Sequence, residues 1–286
     1  MSGNVQIGRA SEDEIAYFAA HRWKDDMGRR LYQHLGAQSP GGAWVARDDG
    51  SPVGIAFTRG YEQTRYQSEL FVEPSFRGTG LGGALLDAGA TDASEGIGAL
   101  IDPLDFAATA LCMKRGSAPR VSVLRVVGGI PKEEALAAIA FGSYRFRAVP
   151  LDPYAHRYAL AALDRETRGF ERGDDHTLFA SIACGHAIFL DEECVGYSYA
   201  WPDGRVGPMA YASNVYGAPI FAFTLMTLTS RYGASWCSAG IPGANVRALE
   251  AARRLGLRID MVRIYADAAG MEGDLSRYVG YHPLLF

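Results

Sequence analysis

Between the apolar run Leu70-Phe71-Val72 and the helical stripe Leu81, Ala84, Leu85, Ala88, the chain reads Arg77-Gly78-Thr79-Gly80-Leu81-Gly82. Few backbones satisfy that order: a strand must enter, a glycine-rich turn must follow, and a helix must leave. Glycine takes φ > 0 without steric penalty, so such a turn aims successive N–H groups at one point, and the helix N-terminus adds partial positive charge. The product is an anion nest suited to a phosphate or diphosphate. Arg77 contributes a full charge and a planar fork of donors.

Spacing sorts the glycine loops that this stretch can be. A P-loop needs Gly-Lys-Ser/Thr after its glycines, and no Lys follows here. Gly78, Gly80 and Gly83 do spell the dinucleotide pattern G-x-G-x-x-G, with Asp102 closing the strand-like Ala99-Leu100-Ile101. Against it, Glu73-Pro74-Ser75-Phe76 separates the strand from the first glycine, where a dinucleotide turn is tight. A dinucleotide-dependent oxidoreductase therefore stays open as an alternative.

A third glycine loop matches over a longer stretch. Leu70 to Gly82 follows L-x-V-x-P-x-x-R-G-x-G-x-G and resembles the strand-and-loop motif of the GNAT acyltransferases. Asp105-Phe106-Ala107-Ala108-Thr109-Ala110-Leu111-Cys112-Met113-Lys114-Arg115-Gly116 resembles a second motif of that family, Asn-x-x-Ala-x-x-Leu-Tyr-x-x-x-Gly, with Asp at 105 for Asn and Cys at 112 for Tyr. The resemblance implies acetyl-CoA, or another acyl-CoA, as co-substrate without a metal. It places the co-substrate on Leu70, Phe71, Val72, Arg77, Gly78, Thr79, Gly80, Leu81, Gly82 and Gly83, with Asp105 at the start of the helix beside the pantetheine arm.

The second motif recurs as Asn245-Val246-Arg247-Ala248-Leu249-Glu250-Ala251-Ala252-Arg253-Arg254-Leu255-Gly256, 140 positions on. Ala108, Leu111, Cys112 and Arg115 map onto Ala248, Ala251, Ala252 and Leu255 at the i, i+3, i+4, i+7 spacing of one helix face. The same offset aligns two strand-to-helix starts, after Val5 to Ile7 and after Tyr144 to Val149. A duplicated unit is the simplest account. The expected fold class is α/β (α+β) with two tandem GNAT-like domains, each a mixed, mostly antiparallel twisted sheet flanked by helices. The expected bounds are 1–130 for the acyl-CoA-binding domain, 131–142 for a connector helix and 143–286 for a degenerate second copy. In the second copy, Val206 to Gly217 takes the place of the glycine loop and has no R-x-x-G-x-G, so one acyl-CoA per chain is expected.

Composition narrows the partners. A net charge of −4 gives no basic field for nucleic acid, and 48% hydrophobic with 21% charged residues excludes a disordered chain. Cysteines 112, 184, 194 and 237 show neither zinc nor disulfide spacing. Met1-Ser2-Gly3-Asn4 lacks the basic and apolar regions of a secretory signal. The longest apolar run, Ala218 to Met226, is too short for a membrane span and reads as a buried helix. A cytoplasmic protein with no membrane or nucleic-acid partner, and free to form a homodimer, is expected.

Local signals give helices from Ser11 to Trp23 and Asp26 to Leu35, a break at Ser39-Pro40-Gly41-Gly42, and a hairpin of Gly42 to Arg47 with Pro52 to Arg59. Strands are expected at Gln67 to Val72 and Arg120 to Val127, and helices at Pro131 to Ala140 and His156 to Arg168. Thr177 to Leu190 and Val195 to Trp201 read as strand-rich.

The acceptor implied by the resemblance is a primary amine of a small molecule or peptide. Glu69, one residue before the implied acyl-CoA strand, is the candidate general base; β alternation sets it opposite Leu70 and Val72, and its plainer reading is a solvated strand acid. Glu73 is a weaker candidate. Cys112 stands where the family's Tyr acid would stand, yet a Cys on an apolar helix face is more often a small core residue. Backbone N–H groups near Phe71 or Val72 would polarise the thioester carbonyl. A non-catalytic acyl-CoA sensor is the alternative of a different class. His176 with Asp174 and Asp175, and His21 with Asp25 and Asp26, read as solvated loop residues. Tyr197, Tyr199, Trp201 and Tyr211 are dense enough to line an acceptor pocket between the domains or to fill a core.

Overall fold

The computed structural model describes residues 5–37, 42–61, 64–89, 96–267 and 273–286. Ser39-Pro40-Gly41 and Met1 to Asn4 lie outside the described residues. Contacts divide the chain into unit 1, Met1–Pro119 with Ala266–Ala269, and unit 2, Arg120–Tyr265 with Gly270–Phe286.

Unit 1 opens with β1 (Val5–Arg9) and α1 (Glu12–Arg22). Ser11 starts the helix with a capping box: its hydroxyl accepts the Glu14 N–H at 3.3 Å, and the Glu14 carboxylate accepts the Ser11 N–H at 2.8 Å. After α2 (Asp26–Ala37), β2 (Ala43–Asp48) and β3 (Ser51–Tyr61) form the expected hairpin. Its two-residue turn, Asp49-Gly50, has φ of 47° and 83°, the left-handed pair that hairpin twist favours. β4 (Thr64–Val72), α3 (Leu81–Ala88), β5 (Gly96–Ile101) and α4 (Phe106–Met113) follow. The strands run in the order β1-β2-β3-β4-β5; the first three pairings are antiparallel and β4 with β5 is parallel. Leu81 and Leu85 of α3 bury against Ala46, Val53 and Ala56 of the sheet, with Leu70 and Val72 packed beside them. The glycines follow the first strand of the parallel unit β4-α3-β5, but the other neighbour of β4 is antiparallel and residues 73–80 separate it from α3, so neither the parallel sheet nor the tight first turn of a dinucleotide fold is present. Asp102 instead makes a local turn, its carboxylate accepting the Leu104 N–H at 2.9 Å.

Unit 2 contains β6 (Ala118–Gly129) from Arg120 on, α5 (Glu133–Ala140), β7 (Arg147–Pro150), α6 (Arg157–Arg168) and α7 (Gly173–Ile182). It continues through β8 (Cys184–Leu190), β9 (Glu193–Ala200), β10 (Val206–Tyr211), α8 (Gly217–Tyr232), β11 (Trp236–Pro242), α9 (Val246–Arg254), β12 (Arg258–Asp267) as far as Tyr265, and β13 (Tyr278–Val279). Five strands form one sheet, β13-β10-β9-β8-β7, and β12-β6-β11 are neighbours in another. The element order from β1 to β6 repeats from β7 to β12 with α5 between, as the 140-residue offset implies.

Two expectations are corrected in unit 2. Thr177 to Ile182 is helical: α7 places Asp174 and Asp175 in its first turn and buries His176 and Phe179 at i, i+3, so only Cys184 to Leu190 is strand. Asp175 and His176 are not solvated. The His176 ring lies 2.9 Å from the Asp164 carboxylate through Nε2 and 2.9 Å from the Tyr199 hydroxyl through Nδ1, and Tyr197 donates to Asp164 at 2.6 Å, all of it buried. Of the two readings open for Tyr197, Tyr199, Trp201 and Tyr211, their full burial in the interior of unit 2 fits the core.

Candidate active site

In unit 1 the geometry of the site starts with a register. β4 and β5 pair from Thr64↔Gly96 to Gln67↔Ala99 and no further, although β4 continues to Val72 and β5 to Ile101. The two strands part beyond that point. Backbone groups of β4 from Ser68 onward, on the side facing β5, are therefore available to a ligand chain. On its other side β4 keeps pairing with β3, but the register shifts between Phe57↔Glu69 and Thr58↔Gln67, which leaves Ser68 as the extra residue of a β-bulge. Gln67 braces the bulge: its side chain accepts from Thr58 Oγ1 at 2.8 Å and donates to the carbonyl of Glu69.

Past the bulge, alternation sorts the side chains. Leu70 and Val72 face α3 and the core. Glu69 and Phe71 face the other way, toward α1 and α2: Phe71 meets the Phe18 ring edge-on at 5.9 Å, and Glu69 pairs with Arg22 at 3.3 Å. The Glu69 side chain is 8% exposed and that of Arg22 is 38% exposed, so the carboxylate lies beneath a guanidinium that reaches solvent. Arg22 also sits over the Phe71 ring, 4.6 Å from its centroid. Tyr32 of α2 is completely buried, and burial, joined by the Glu69 charge, holds its phenol well above the usual range while Arg22 pulls the other way. The solvated-acid reading of Glu69 does not describe this buried, ion-paired group.

The glycine loop follows β4 through a short 3-10 turn, Pro74–Phe76. Gly78 and Gly80 have φ of 79° and 89°, and a Cβ added to either would meet nothing within 4 Å. Their backbone is one that only glycine adopts readily, and the space above them is open. Gly80 caps α3 without a side-chain bond, so the first-turn amides of Leu81, Gly82 and Gly83 have no intrahelical acceptor and none from the cap. Arg77 folds back, Nε donating to the Val72 carbonyl at 3.0 Å, and Thr79 Oγ1 donates to the Phe76 carbonyl at 2.7 Å. These two bonds tie the loop to the strand end and leave the terminal nitrogens of the Arg77 fork for an anion. The loop thus has the geometry that a diphosphate requires.

α4 lies against the same helix start: an added Cβ on Gly82 would sit 3.7 Å from Leu111, and Arg115 bridges to the Gly83 carbonyl at 2.8 Å and to Asp87 at 2.6 Å. Asp105 caps α4, accepting the Ala108 N–H at 2.9 Å. Cys112 is buried in an apolar cluster with Ala99, Ile101, Ala108 and Ala266, and desolvation pushes its thiol above the usual range. Glu73 is half-buried ahead of the 3-10 turn, its N–H bonded to the Val53 carbonyl at 2.9 Å. Sequence reasoning reaches Glu69 but misses Arg22 and Tyr32; the signal available for them is their place on α1 and α2, the helices over the Glu69 face.

Unit 2 has no counterpart of the loop. Residues 73–80 separate β4 from α3, whereas only 212–216 separate β10 from α8. Gly217 at the start of α8 packs directly on the Tyr211 ring and hydroxyl. Among the described residues, no three His, Cys, Asp or Glu side chains are grouped to hold a metal, and no helix is long and apolar enough to cross a membrane.

Residues 39–115 match the model of the acetyltransferase (GNAT) domain. In three dimensions the chain is similar to a putative acetyltransferase from Pyrococcus horikoshii, with a TM-score of 0.74 at 16% identity over 100% of this chain and 96% of that one. It is also similar to a GCN5-related N-acetyltransferase from Sphaerobacter thermophilus, with a TM-score of 0.60 at 13% identity over 92% and 95% of the two chains. A tandem GNAT protein from the clavulanic acid biosynthesis pathway gives a TM-score of 0.57 at 14% identity over 92% and 98%. No curated protein sequence matches the chain.

Proposed function

We propose, from the premise that the chain has the GNAT fold and carries a GNAT acetyltransferase domain at residues 39–115, that it transfers an acetyl group from acetyl-CoA directly to a primary amine. One observation carries the reading: the strand that parts from its neighbour after Gln67 runs into an open, uncapped glycine loop and presents a buried carboxylate on its opposite face.

In this reading the diphosphate of acetyl-CoA sits on the amides of Gly78 to Gly83 with Arg77 beside it, and the pantetheine arm adds to the free side of β4 along Leu70, Phe71 and Val72. An N–H of that segment polarises the thioester carbonyl. The acceptor amine approaches from the α1 and α2 side, where Glu69, directly or through one water, takes the proton that the nitrogen must lose. The nitrogen attacks the carbonyl carbon, the C–N bond forms, the C–S bond breaks, and CoA leaves as a thiolate. Asp105 orders α4. Cys112, enclosed by apolar side chains, packs rather than donates, and the thiolate takes its proton from solvent. Unit 2, without a loop, binds no second acetyl-CoA.

Calorimetric titration with acetyl-CoA, followed by CoA release over a panel of amines, tests the proposal. The expected result is one site per chain, turnover with at least one amine, and about a hundredfold loss of kcat in Glu69→Gln with acetyl-CoA affinity unchanged. Binding without turnover for every amine would favour the sensor reading.

A further inference from the structure

Unit 2 lacks the glycine loop, yet the corner between its two matching helices is hollow. In unit 1 the start of α3 is closed by α4, with Leu111 beside Gly82. The helices in those places in unit 2 are α8 and α9, and Ala251 stands 140 positions after Leu111. Beside that smaller side chain, and walled also by α5, lies a cavity of about 390 Å³, a volume within the range of about 300–1,000 Å³ typical of small-molecule sites. Its walls are apolar at Ile139, Pro219 and Ala251 and aromatic at Tyr144. Phe146, stacked at 5.3 Å, and Tyr216, edge-on at 5.2 Å, hold the Tyr144 ring in place.

The charge of the cavity comes from α9. Arg247 and Arg254 flank Glu250 at i, i+3 and i+7, and all three line the space. Glu250 accepts from Arg254 at 2.6 Å but lies 3.7 Å from Arg247, beyond hydrogen-bonding distance. Two guanidiniums thus share one carboxylate, and the lining keeps one positive charge in excess. The first turn of α8, which no side chain caps, adds partial positive charge to the same wall.

We propose that unit 2 binds a small aromatic monocarboxylate in this cavity, its carboxylate on Arg247 and its ring against Tyr144 and the apolar walls. The site is separate from the acetyl-CoA loop of unit 1 and does not depend on the acetyltransferase reading. A planar guanidinium fork that no carboxylate engages directly suits a carboxylate partner. One negative charge balances the excess; an amine adds a second repelled cation, and a neutral molecule leaves the excess unmatched. A ring-free anion such as phosphate satisfies Arg247 but leaves the apolar and aromatic walls uncovered.

Calorimetry on the full chain tests the site with benzoate, phenylacetate and indole-3-acetate, each against its neutral amide, and with acetate and inorganic phosphate as ring-free anions. At least one aromatic carboxylate is expected to bind at one site per chain, tenfold or more tighter than its amide and than either ring-free anion. Arg247→Met is expected to weaken that binding at least tenfold. Ala251→Leu, which places the unit 1 side chain in the cavity, is expected to abolish it. Thermal melts and an acetyl-CoA titration of each variant show that it is folded and that unit 1 is unaffected; should Ala251→Leu fail to fold, Arg247→Met carries the test alone. Saturating acetyl-CoA is expected to leave the carboxylate's affinity changed by less than threefold. No binding of the three carboxylates, amides or phosphate binding as tightly, or an affinity untouched by Arg247→Met would overturn the inference. Loss of carboxylate binding under saturating acetyl-CoA, with both variants binding as the parent does, would assign the ligand to unit 1 and overturn it as well.

Discussion

Asp105 and Asn245, 140 positions apart, cap their helices in the same way. Each side-chain oxygen accepts the N–H three residues on, at 2.9 and 3.1 Å, from backbones at φ −85°, ψ 81° and φ −85°, ψ 68°. Their surroundings differ. Asp105 is exposed, whereas Asn245 is fully buried and its amide also donates to the Tyr211 hydroxyl and, at 2.8 Å, to the Tyr278 carbonyl. The duplicated motif therefore keeps its capping acceptor in both copies but needs an amide in only one.

That difference predicts unequal costs. Asp105→Ala loses one exposed cap and is expected to lower unfolding free energy by about 1 kcal/mol. Asn245→Ala also strands two buried groups and is expected to cost about 3 kcal/mol. The isosteric changes separate the roles: Asp105→Asn should be nearly neutral, while Asn245→Asp keeps the acceptor, loses both donations and buries a charge, so it should cost at least as much as Ala. Urea denaturation of the four variants gives the comparison.

Gly80 has φ of 89° with open space above it, so an alanine there strains only the backbone. The expected stability loss is about 1 kcal/mol. If the loop amides grip a diphosphate, turning them away also weakens acetyl-CoA binding by tenfold or more. Gly256, φ 76° and equally open, lies in unit 2 and is the control: Gly256→Ala should lose similar stability with acetyl-CoA affinity intact. Calorimetry and melts on both variants decide it.

What the sequence discloses follows from how local each demand is. The hairpin at Asp49-Gly50, the capping box at Ser11 and the turn at Gly78 and Gly80 depend on residues a few positions apart, so all are legible before any fold is known. The duplication is legible because Asp105 and Asn245 sit in the same short pattern. The Arg22–Glu69 pair spans 47 positions and depends on which face of β4 meets α1. Alternation separates Glu69 from Leu70 and Val72, but that α1 covers the Glu69 face is a tertiary contact that no local pattern encodes. Asp175 and His176 are misread as solvated for the same reason: the partners of His176, Asp164 and Tyr199, come from α6 and β9, and the stretch Asp174-Asp175-His176 reads as solvated until a helix turns one side of it inward.

Cys112 supplies a prediction that separates packing from proton transfer. The thiol lies among Ala99, Ile101, Ala108 and Ala266, and desolvation raises its pKa. Cys112→Ala removes one sulfur from that cluster and is expected to cost about 1 kcal/mol of stability. Its kcat should stay within about threefold of the parent, since a general acid would be worth roughly a hundredfold or more. The pH profile of kcat should keep its alkaline limb. A hundredfold fall, with that limb displaced, would make Cys112 the acid.

Arg125 and Asp260 give unit 2 an acid-sensitive tie. The Arg125 guanidinium engages both oxygens of the Asp260 carboxylate at 2.7 Å, across 135 positions, and this bonding holds the Asp260 pKa below the usual carboxylate value against a smaller opposing effect of burial. A carboxylate whose pKa is lower in the folded than in the unfolded chain binds fewer protons when folded. Its stabilisation is therefore complete above the unfolded value and is lost as pH falls through the folded one. Both side chains are partly solvent-exposed, so the contribution is about 1 kcal/mol or less and weakens with salt. Urea denaturation at pH 7 and again in steps below pH 4 should show Asp260→Asn less stable than the parent at neutral pH, with the gap closing as the pH drops. Arg125→Met should lie below the parent at pH 7 and flatten the acid dependence in the same way, and a gap that stays constant down to pH 2 would show that the pair contributes by packing rather than by charge.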